Sequence, residues 1–308
     1  MMVVDTVAGL MKATEEARSD GRRVGLVPTM GALHPGHLSL LRRSVQDDDT
    51  VVATVFVNPL QFAAGEDLAS YPRDLRRDLV LADEAGVDYL FVPTCEEMYS
   101  QPPLITIGVA ALSQRLEGCY RPGHFEGVAM VIAKLFAMVG RCRAYFGEKD
   151  YQQLCLVRRL AADLSFPVEV VGCPTVRHPD GLALSSRNVR LSPTERVAAP
   201  VIHRALVAGR HAVEAGRCDP AVVSQVMADV MSGEPLADLE YAEAADPGDL
   251  RTPDRLAGEV RLLAAARIGA VRLIDNLAAV FGQPRADCEG RSHSQRRPHP
   301  EGQLCDGG

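Results

Sequence analysis

Apolar and polar positions along the chain switch repeatedly between two periods. Val7 to Ser19 carries Leu10, Met11, Ala13 and Ala17 among charges, the spacing of an amphipathic helix, and Asp20-Gly21 stops it. Val24 to Val27 is a short apolar run closing on Pro28. After a glycine-bearing turn, leucines at 38, 40 and 41 with Arg42 and Arg43 behind them predict strand, loop and helix in succession. Thr50 to Val57 is rich in β-branched residues, as in a parallel strand covered on both faces. Tyr71-Pro72-Arg73 opens a helix with Leu75, Leu79 and Ala82 at helical spacing, and Gly86 ends it before a strand at Tyr89 to Val92. A strongly apolar helix from Val128 to Val139, a strand into Phe146, a helix with Leu154, Leu156, Val157 and Leu160, and a strand at Val168 to Val171 continue the alternation. Strands regularly interleaved with helices predict an α/β fold built on a doubly wound parallel sheet.

The pattern changes in the last third. Ser192-Pro193-Thr194-Glu195 fits a capping box with proline at the first helical position, and the helix runs to about Ala215 with Pro200 bending or breaking it. A helix over Pro220 to Met231 and strands at Leu239 to Ala244, Val260 to Ala266 and Val271 to Ile274 predict a second, smaller α+β domain. From Gln283 the chain is polar, with arginines among glycines, prolines and histidines, and cannot bury enough to order itself. The expected division is 1–175, 176–282 and a disordered tail at 283–308.

Composition narrows the function classes. The 308 residues are 47% hydrophobic and 24% charged with net charge −7, so nothing electrostatic recruits nucleic acid or an anionic membrane surface, and any phosphate binding must be local. Eight scattered cysteines without C-x-x-C spacing read as reduced thiols. The segment Met1 to Leu10 lacks the basic start and apolar run of a signal peptide, and no stretch approaches a membrane span, so the expected location is the cytoplasm.

The chemistry lies in the turns after the strands, where open α/β sheets bind ligands. Pro28-Thr29-Met30-Gly31-Ala32-Leu33-His34-Pro35-Gly36-His37 puts two histidines three apart at a helix start, and glycines with backbone N–H groups there suit a nucleotide phosphate. A buried histidine pair or a two-ligand metal corner is the bland alternative. Asn58-Pro59-Leu60-Gln61-Phe62 ends the next core strand with two amides. Ala144 to Gln153 runs through Gly147-Glu148-Lys149-Asp150; Lys149 can follow charge building on a phosphate, while Asp150 and Gln153 can bond hydroxyls. Gly181 to Asn188 carries Ser185-Ser186-Arg187, hydroxyls and a guanidinium able to wrap phosphate oxygens. Between Gly118 and Gly123 the glycine spacing of a phosphate loop occurs, but His124 stands where that motif needs lysine and the motif is refused. Lys134, inside an apolar helix, receives no role.

Together these segments resemble the pantoate–β-alanine ligase (pantothenate synthetase) family of the HxGH nucleotidyltransferase superfamily, over about residues 5 to 282. The resemblance implies a Rossmann-like sheet domain with the smaller domain as a lid. It implies ATP-dependent joining of pantoate to β-alanine through a pantoyl adenylate, with release of pyrophosphate and AMP. Met30, Gly31, Ala32, Leu33, His34, Pro35, Gly36 and His37 would hold the nucleotide. His34, His37 and Lys149 would stabilise the transferring phosphate, with His37 also a proton donor. Gly147, Glu148, Asp150, Val176 and Leu184 would complete the nucleotide site, with backbone at Gly147, Val176 and Leu184 lining the adenine. Ser185, Ser186 and Arg187 would hold the outer phosphates, while Gln61 and Gln153 orient pantoate. Asn58, Tyr71, Arg121 and His124 stay outside this set. Magnesium is expected on the ATP phosphates without an all-protein metal site, and the implied assembly is a homodimer. A different HxGH enzyme moving AMP to a phosphate, or a non-catalytic nucleotide sensor, remain as rivals; a dinucleotide dehydrogenase is disfavoured because the first turn lacks G-x-G-x-x-G.

Overall fold

The computed structural model describes residues 1–62, 68–69 and 71–282; the tail expected at 283–308 lies outside them. Six parallel strands form the larger sheet: β1 (Met2–Val4), β2 (Val24–Val27), β3 (Thr50–Thr54), β4 (Tyr89–Phe91), β5 (Cys142–Gly147) and β6 (Val168–Cys173), in the order β1-β4-β3-β2-β5-β6. Every position of β2 and β3 is buried, so these strands are covered on both faces, as their unbroken apolar character requires. Crossover helices α1 (Val7–Ser19), α2 (Pro35–Asp47), α3 (Leu75–Glu84) and, beyond the short α4 (Cys95–Met98) and α5 (Glu117–Tyr120), α6 (His124–Val139) and α7 (Tyr151–Asp163) connect them. Strand β2 pairs with β3 on one side and β5 on the other, Leu26 facing both Val52 and Ala144. The chain winds outward in opposite directions from this pair, so the crevice between the carboxyl ends of β2 and β5 is the switch point where such sheets bind ligands.

The smaller sheet is antiparallel, β7 (Ala237–Ala245), β8 (Glu259–Ile268) and β9 (Val271–Val280), packed by α9 (Val201–Glu214) and α10 (Pro220–Ser232) around a core of their own. Pro200 breaks the long helix as expected: α8 (Pro193–Ala198) ends and α9 starts beyond it. The Ser192 side chain and the Glu195 side chain form the reciprocal capping box.

Local departures from expectation have local causes. Strand β3 stops at Thr54 rather than Val57, where its partner β4 ends at Phe91: Val55 N–H makes the last bond to that strand, on Phe91 O (2.9 Å), and Phe56 N–H bonds Thr29 O (3.1 Å) in the turn after β2. Helix α3 starts at Leu75, not at Tyr71-Pro72, since the Asp74 carboxylate takes the N-cap and accepts from Arg77 N–H. The three-residue edge strand β1 exists through its pairing with β4, a partner that Met2 to Val4 does not announce.

Candidate active site

Four turns at the carboxyl ends of β2, β3, β5 and β6 converge. A cavity of about 210 Å³ is walled by Met30, His34, Gly36, His37, Gln61, Gly147, Lys149, Asp150, Gln153, Val176, Leu184, Ser185, Ser186 and Arg187, so the expected histidines, ammonium and hydroxyl-guanidinium loop meet at one place. A neighbouring cavity of about 620 Å³ shares Met30, Gln61, Lys149, Asp150, Gln153, Ser185 and Arg187 and opens toward the C-terminal sheet.

Some expected contacts are not brought to either wall. Gly31, Ala32, Leu33, Pro35 and Glu148 border neither cavity. The N–H groups of Ala32 and Leu33 are spent on the Asp78 carboxylate at 2.9 and 2.7 Å, and Gly31 sits at φ +80° where a β-carbon would lie 2.8 Å from Asp78 Oδ2. The turn is therefore braced from below by a buried aspartate of α3. The Gly36 N–H also has an internal partner, since it donates to His34 Nδ1 at 3.1 Å. That bond leaves Nδ1 unprotonated, so in neutral His34 the proton is on Nε2. A β-carbon at Gly36 would lie 2.8 Å from His34 Cε1 and would displace that ring.

The two imidazoles lie with centroids 4.0 Å apart. Burial, then repulsion from Lys149, takes His34 down to about 4, and burial, then His34, takes His37 to about 3. Both rings are held neutral at pH 7, so neither brings a positive charge to the cavity. His37 Nδ1 is buried with no hydrogen-bond partner among the described residues, an uncompensated polar atom of the kind that functional sites tolerate. Lys149 is not a lone ammonium: its Nζ lies 3.2 Å from Asp150 Oδ1. The Asp150 side chain is half exposed; desolvation at the cavity mouth would raise its carboxyl, but Lys149, Arg187 and His124 hold it below its usual range.

Gln61 is buried and fixed. Its Oε1 accepts from Asn58 Nδ2 at 3.1 Å and its Nε2 reaches Met30 Sδ at 3.1 Å. Asn58 also donates to Gly127 O and accepts from the Tyr99 hydroxyl, so it orients Gln61, and it borders the smaller cavity beside it. The His124 ring meets Gln61 O at 2.8 Å and Arg121 at 3.0 Å, tying the loop before α6 to the same turn. Tyr71 lines the smaller cavity, while Arg121 and His124 line the larger. Lys134 lies over the Tyr99 ring at 5.6 Å.

Sequence reasoning missed the wall contributed by the C-terminal sheet. Glu117 receives both Arg272 Nη groups at 2.6 and 2.7 Å and the Tyr241 hydroxyl at 2.8 Å, and Arg272 Nε reaches Glu240 at 2.7 Å. Asp275 and Asn276 lie on the same strand, both buried. The one available signal was a pair of adjacent polar residues inside the apolar run of β9.

Comparison with known proteins follows the same lines. The family model for pantoate-beta-alanine ligase matches residues 2–278. The chain is 48% identical over 277 residues to a pantothenate synthetase of Heliobacterium modesticaldum, covering 90% of this chain and 99% of that one. It is 49% identical to one of Sinorhizobium medicae, over 90% of this chain and 95% of that one. The crystal structure of pantothenate synthetase from Thermus thermophilus superposes with a TM-score of 0.84 at 49% identity, covering 90% and 99% of the two chains. A ligase from Francisella tularensis, complexed with beta-gamma ATP and beta-alanine, superposes at 0.74 with 32% identity, over 90% of this chain and 97% of that one.

Proposed function

The chain belongs to the pantoate–β-alanine ligase family, and on that premise we propose how its residues carry out the ATP-dependent joining of pantoate to β-alanine. The carrying observation is the single cavity wall shared by His34, His37, Lys149, Ser185, Ser186 and Arg187. Such a set suits attack on the α-phosphate of ATP. Donors must face its equatorial oxygens while the departing pyrophosphate is held by its outer oxygens.

The pantoate carboxylate attacks the α-phosphorus, the bond to the β-phosphate oxygen breaks, and pantoyl adenylate and pyrophosphate result. The amine of β-alanine then attacks the acyl carbon, the bond to AMP breaks, the amine loses a proton, and pantothenate and AMP leave. His34 and His37 donate ring N–H groups to the transferring phosphate, and Lys149 exchanges Asp150 for the same charge. In this reading His37 donates a hydrogen bond from a neutral ring, since at about 3 it holds no spare proton at pH 7. Ser185, Ser186 and Arg187 hold the outer phosphates, Gly147, Val176 and Leu184 border the base, and Gln61 and Gln153 orient pantoate.

Among the described residues no group of three or more His, Cys, Asp or Glu side chains could hold a metal ion; we read magnesium as carried on the nucleotide phosphates, through substrate oxygens. When bound there it would offset phosphate charge. We place the domain division near residue 175, with 176–282 closing over the site as a lid, and read the protein as a cytoplasmic homodimer. No described helix is long and apolar enough to cross a membrane.

The test is pantoate-dependent exchange of labelled pyrophosphate into ATP without β-alanine, which requires a reversible acyl adenylate. His37→Ala or Lys149→Ala should lose roughly 10²–10³-fold in exchange while remaining folded, as when one preorganised donor is removed. Near-normal exchange in a folded variant removes the assigned role.

A further inference from the structure

The two phosphate-facing elements, the Lys149 turn and the Ser185-Ser186-Arg187 loop, come from different strands of the large sheet and share no strand with each other. Both are nevertheless held by the same two adjacent residues of β9. The Asn276 side-chain amide donates to Glu148 O at 2.9 Å and to Lys149 O at 2.8 Å. Its Oδ1 accepts from Arg261 Nε at 2.9 Å, which fixes which end of the amide faces the carbonyls. Arg261 is itself stacked on the Tyr151 ring at 3.6 Å and reaches Glu148 Oε2 at 3.2 Å. Neighbouring Asp275 takes both Nη groups of Arg177 at 2.5 and 2.9 Å. Arg177 Nη1 also donates to Gly181 O, and Nη2 to Asn276 O. Residues 176–184 form a small hairpin, bridged at Arg177 and Ala183 and closed by Leu184 N–H on Val176 O. Ser185 leaves directly from its end.

From this arrangement we propose that Asp275 and Asn276 are positioning residues for adenylation. They set the Lys149 ammonium and the Ser185-to-Arg187 loop in register from one rigid strand. The inference rests on the assignment of Lys149 and the loop to the phosphates. Its physical basis is the saturation of the contact. Both buried side chains, at 5% and 3% exposure, have no solvent role, and every polar atom of the Asn276 amide is committed to the Lys149 turn or to Arg261. A packing residue at this interface would not need two donors aimed at successive carbonyls. Removing them takes a side-chain donor from each of those carbonyls and loosens the turn that carries the ammonium, and a displacement on the order of 1 Å at a reacting centre costs about 10²-fold.

The test is a double-mutant cycle in the full chain, read by pantoate-dependent pyrophosphate exchange well below the melting temperature. Asn276→Ala should lower the exchange rate at saturating substrates about 10–10²-fold with the KM for pantoate unchanged. In a Lys149→Ala background the same change should cost no more than about twofold, because the residue acts through Lys149. Asn276→Asp, which keeps the volume and the acceptor toward Arg261 but loses both donors, should behave as Asn276→Ala and serves if the alanine variant is poorly folded. Additive losses in the cycle, or wild-type exchange in a folded Asn276→Asp variant, overturn the inference while the adenylation reading stands. Absence of exchange by the wild-type chain overturns that reading and this inference with it.

Discussion

Substituting Gly127 by alanine sets two predictable effects against each other. Gly127 lies in the body of α6, where replacing glycine by alanine ordinarily stabilises a helix by about 0.5–1 kcal/mol. A β-carbon there, however, would lie 2.2 Å from Leu60 O, 2.4 Å from Leu60 C and 2.5 Å from Gln61 N, all backbone atoms. Reaching an ordinary contact needs a shift on the order of 1 Å. The turn cannot simply retreat: Asn58 Nδ2 holds Gly127 O at 3.0 Å, and His124 meets Gln61 O at 2.8 Å. Overpacking of this kind costs about 1–3 kcal/mol, which outweighs the helical gain. The expected net destabilisation of about 1–2 kcal/mol lowers the melting temperature by about 2–6 °C for a chain of this size. Because Gln61 moves with the turn, kcat/KM for pantoate should fall at least about tenfold while the KM for ATP changes little. Scanning calorimetry and initial rates at varied pantoate check both. A variant that melts at or above the wild-type temperature with unchanged pantoate kinetics refutes both the clash and the role of Gln61.

Three further outcomes follow from the site and its surroundings. An unfolded histidine titrates near 6.5, whereas burial holds His34 at about 4 and His37 at about 3, so below pH 6.5 the unfolded chain binds protons that the native state does not. Stability should therefore fall as pH drops from 7 to 5, by on the order of 1 kcal/mol per ring, and His37→Asn should lose less over that range in thermal melts. Arg272→Ala leaves buried Glu117 without its bidentate partner and should cost about 3–5 kcal/mol in urea unfolding, with Glu117→Gln in the same chain recovering part of the loss. Chelation by EDTA should stop pyrophosphate exchange yet leave the melting temperature of the protein alone unchanged, because the described residues provide no metal cluster of their own.

The alternation of strand and helix was legible because β2 and β3 are buried throughout and read as short unbroken apolar runs, whereas helices such as α1 and α2 bury one face and show helical spacing. The turns carrying His34, His37, Gln61, Lys149 and Ser185 to Arg187 were legible for a related reason: polar residues stand immediately after apolar strands, and a parallel sheet delivers all those strand ends to one edge. Asp78 was not legible. An aspartate in the first turn of a helix reads as a complement to the helix dipole, and only the tertiary fold aims it at N–H groups 45 and 46 residues earlier. Glu117 and Arg272 were hidden likewise, since a glutamate and an arginine 155 positions apart carry no mark of pairing. The expectation that free N–H groups at the start of α2 suit phosphate met the same limit, because the Gly36 N–H donates to His34 Nδ1 and only the fold shows that partner.

Burial first, and charge repulsion after it, explain why the site keeps its histidines neutral. Two imidazolium charges with rings 4.0 Å apart would repel by about 4 kcal/mol at an effective dielectric constant near 20. They would also oppose Lys149, which already lowers His34. Neutral rings supply N–H donors without that repulsion and leave positive charge to Lys149 and Arg187. Lys149 is in turn held by Asp150, whose side chain is half exposed, so exchanging that carboxylate for a phosphate returns Asp150 to water instead of stranding a buried charge. The formal charge of −7 does not defeat this arrangement: at physiological ionic strength charges beyond about 8 Å are largely screened, and Lys149 and Arg187 border both cavities. A negatively charged chain can therefore hold a polyanionic nucleotide, provided its few cations are fixed in place, and that fixing is what the buried β9 residues supply.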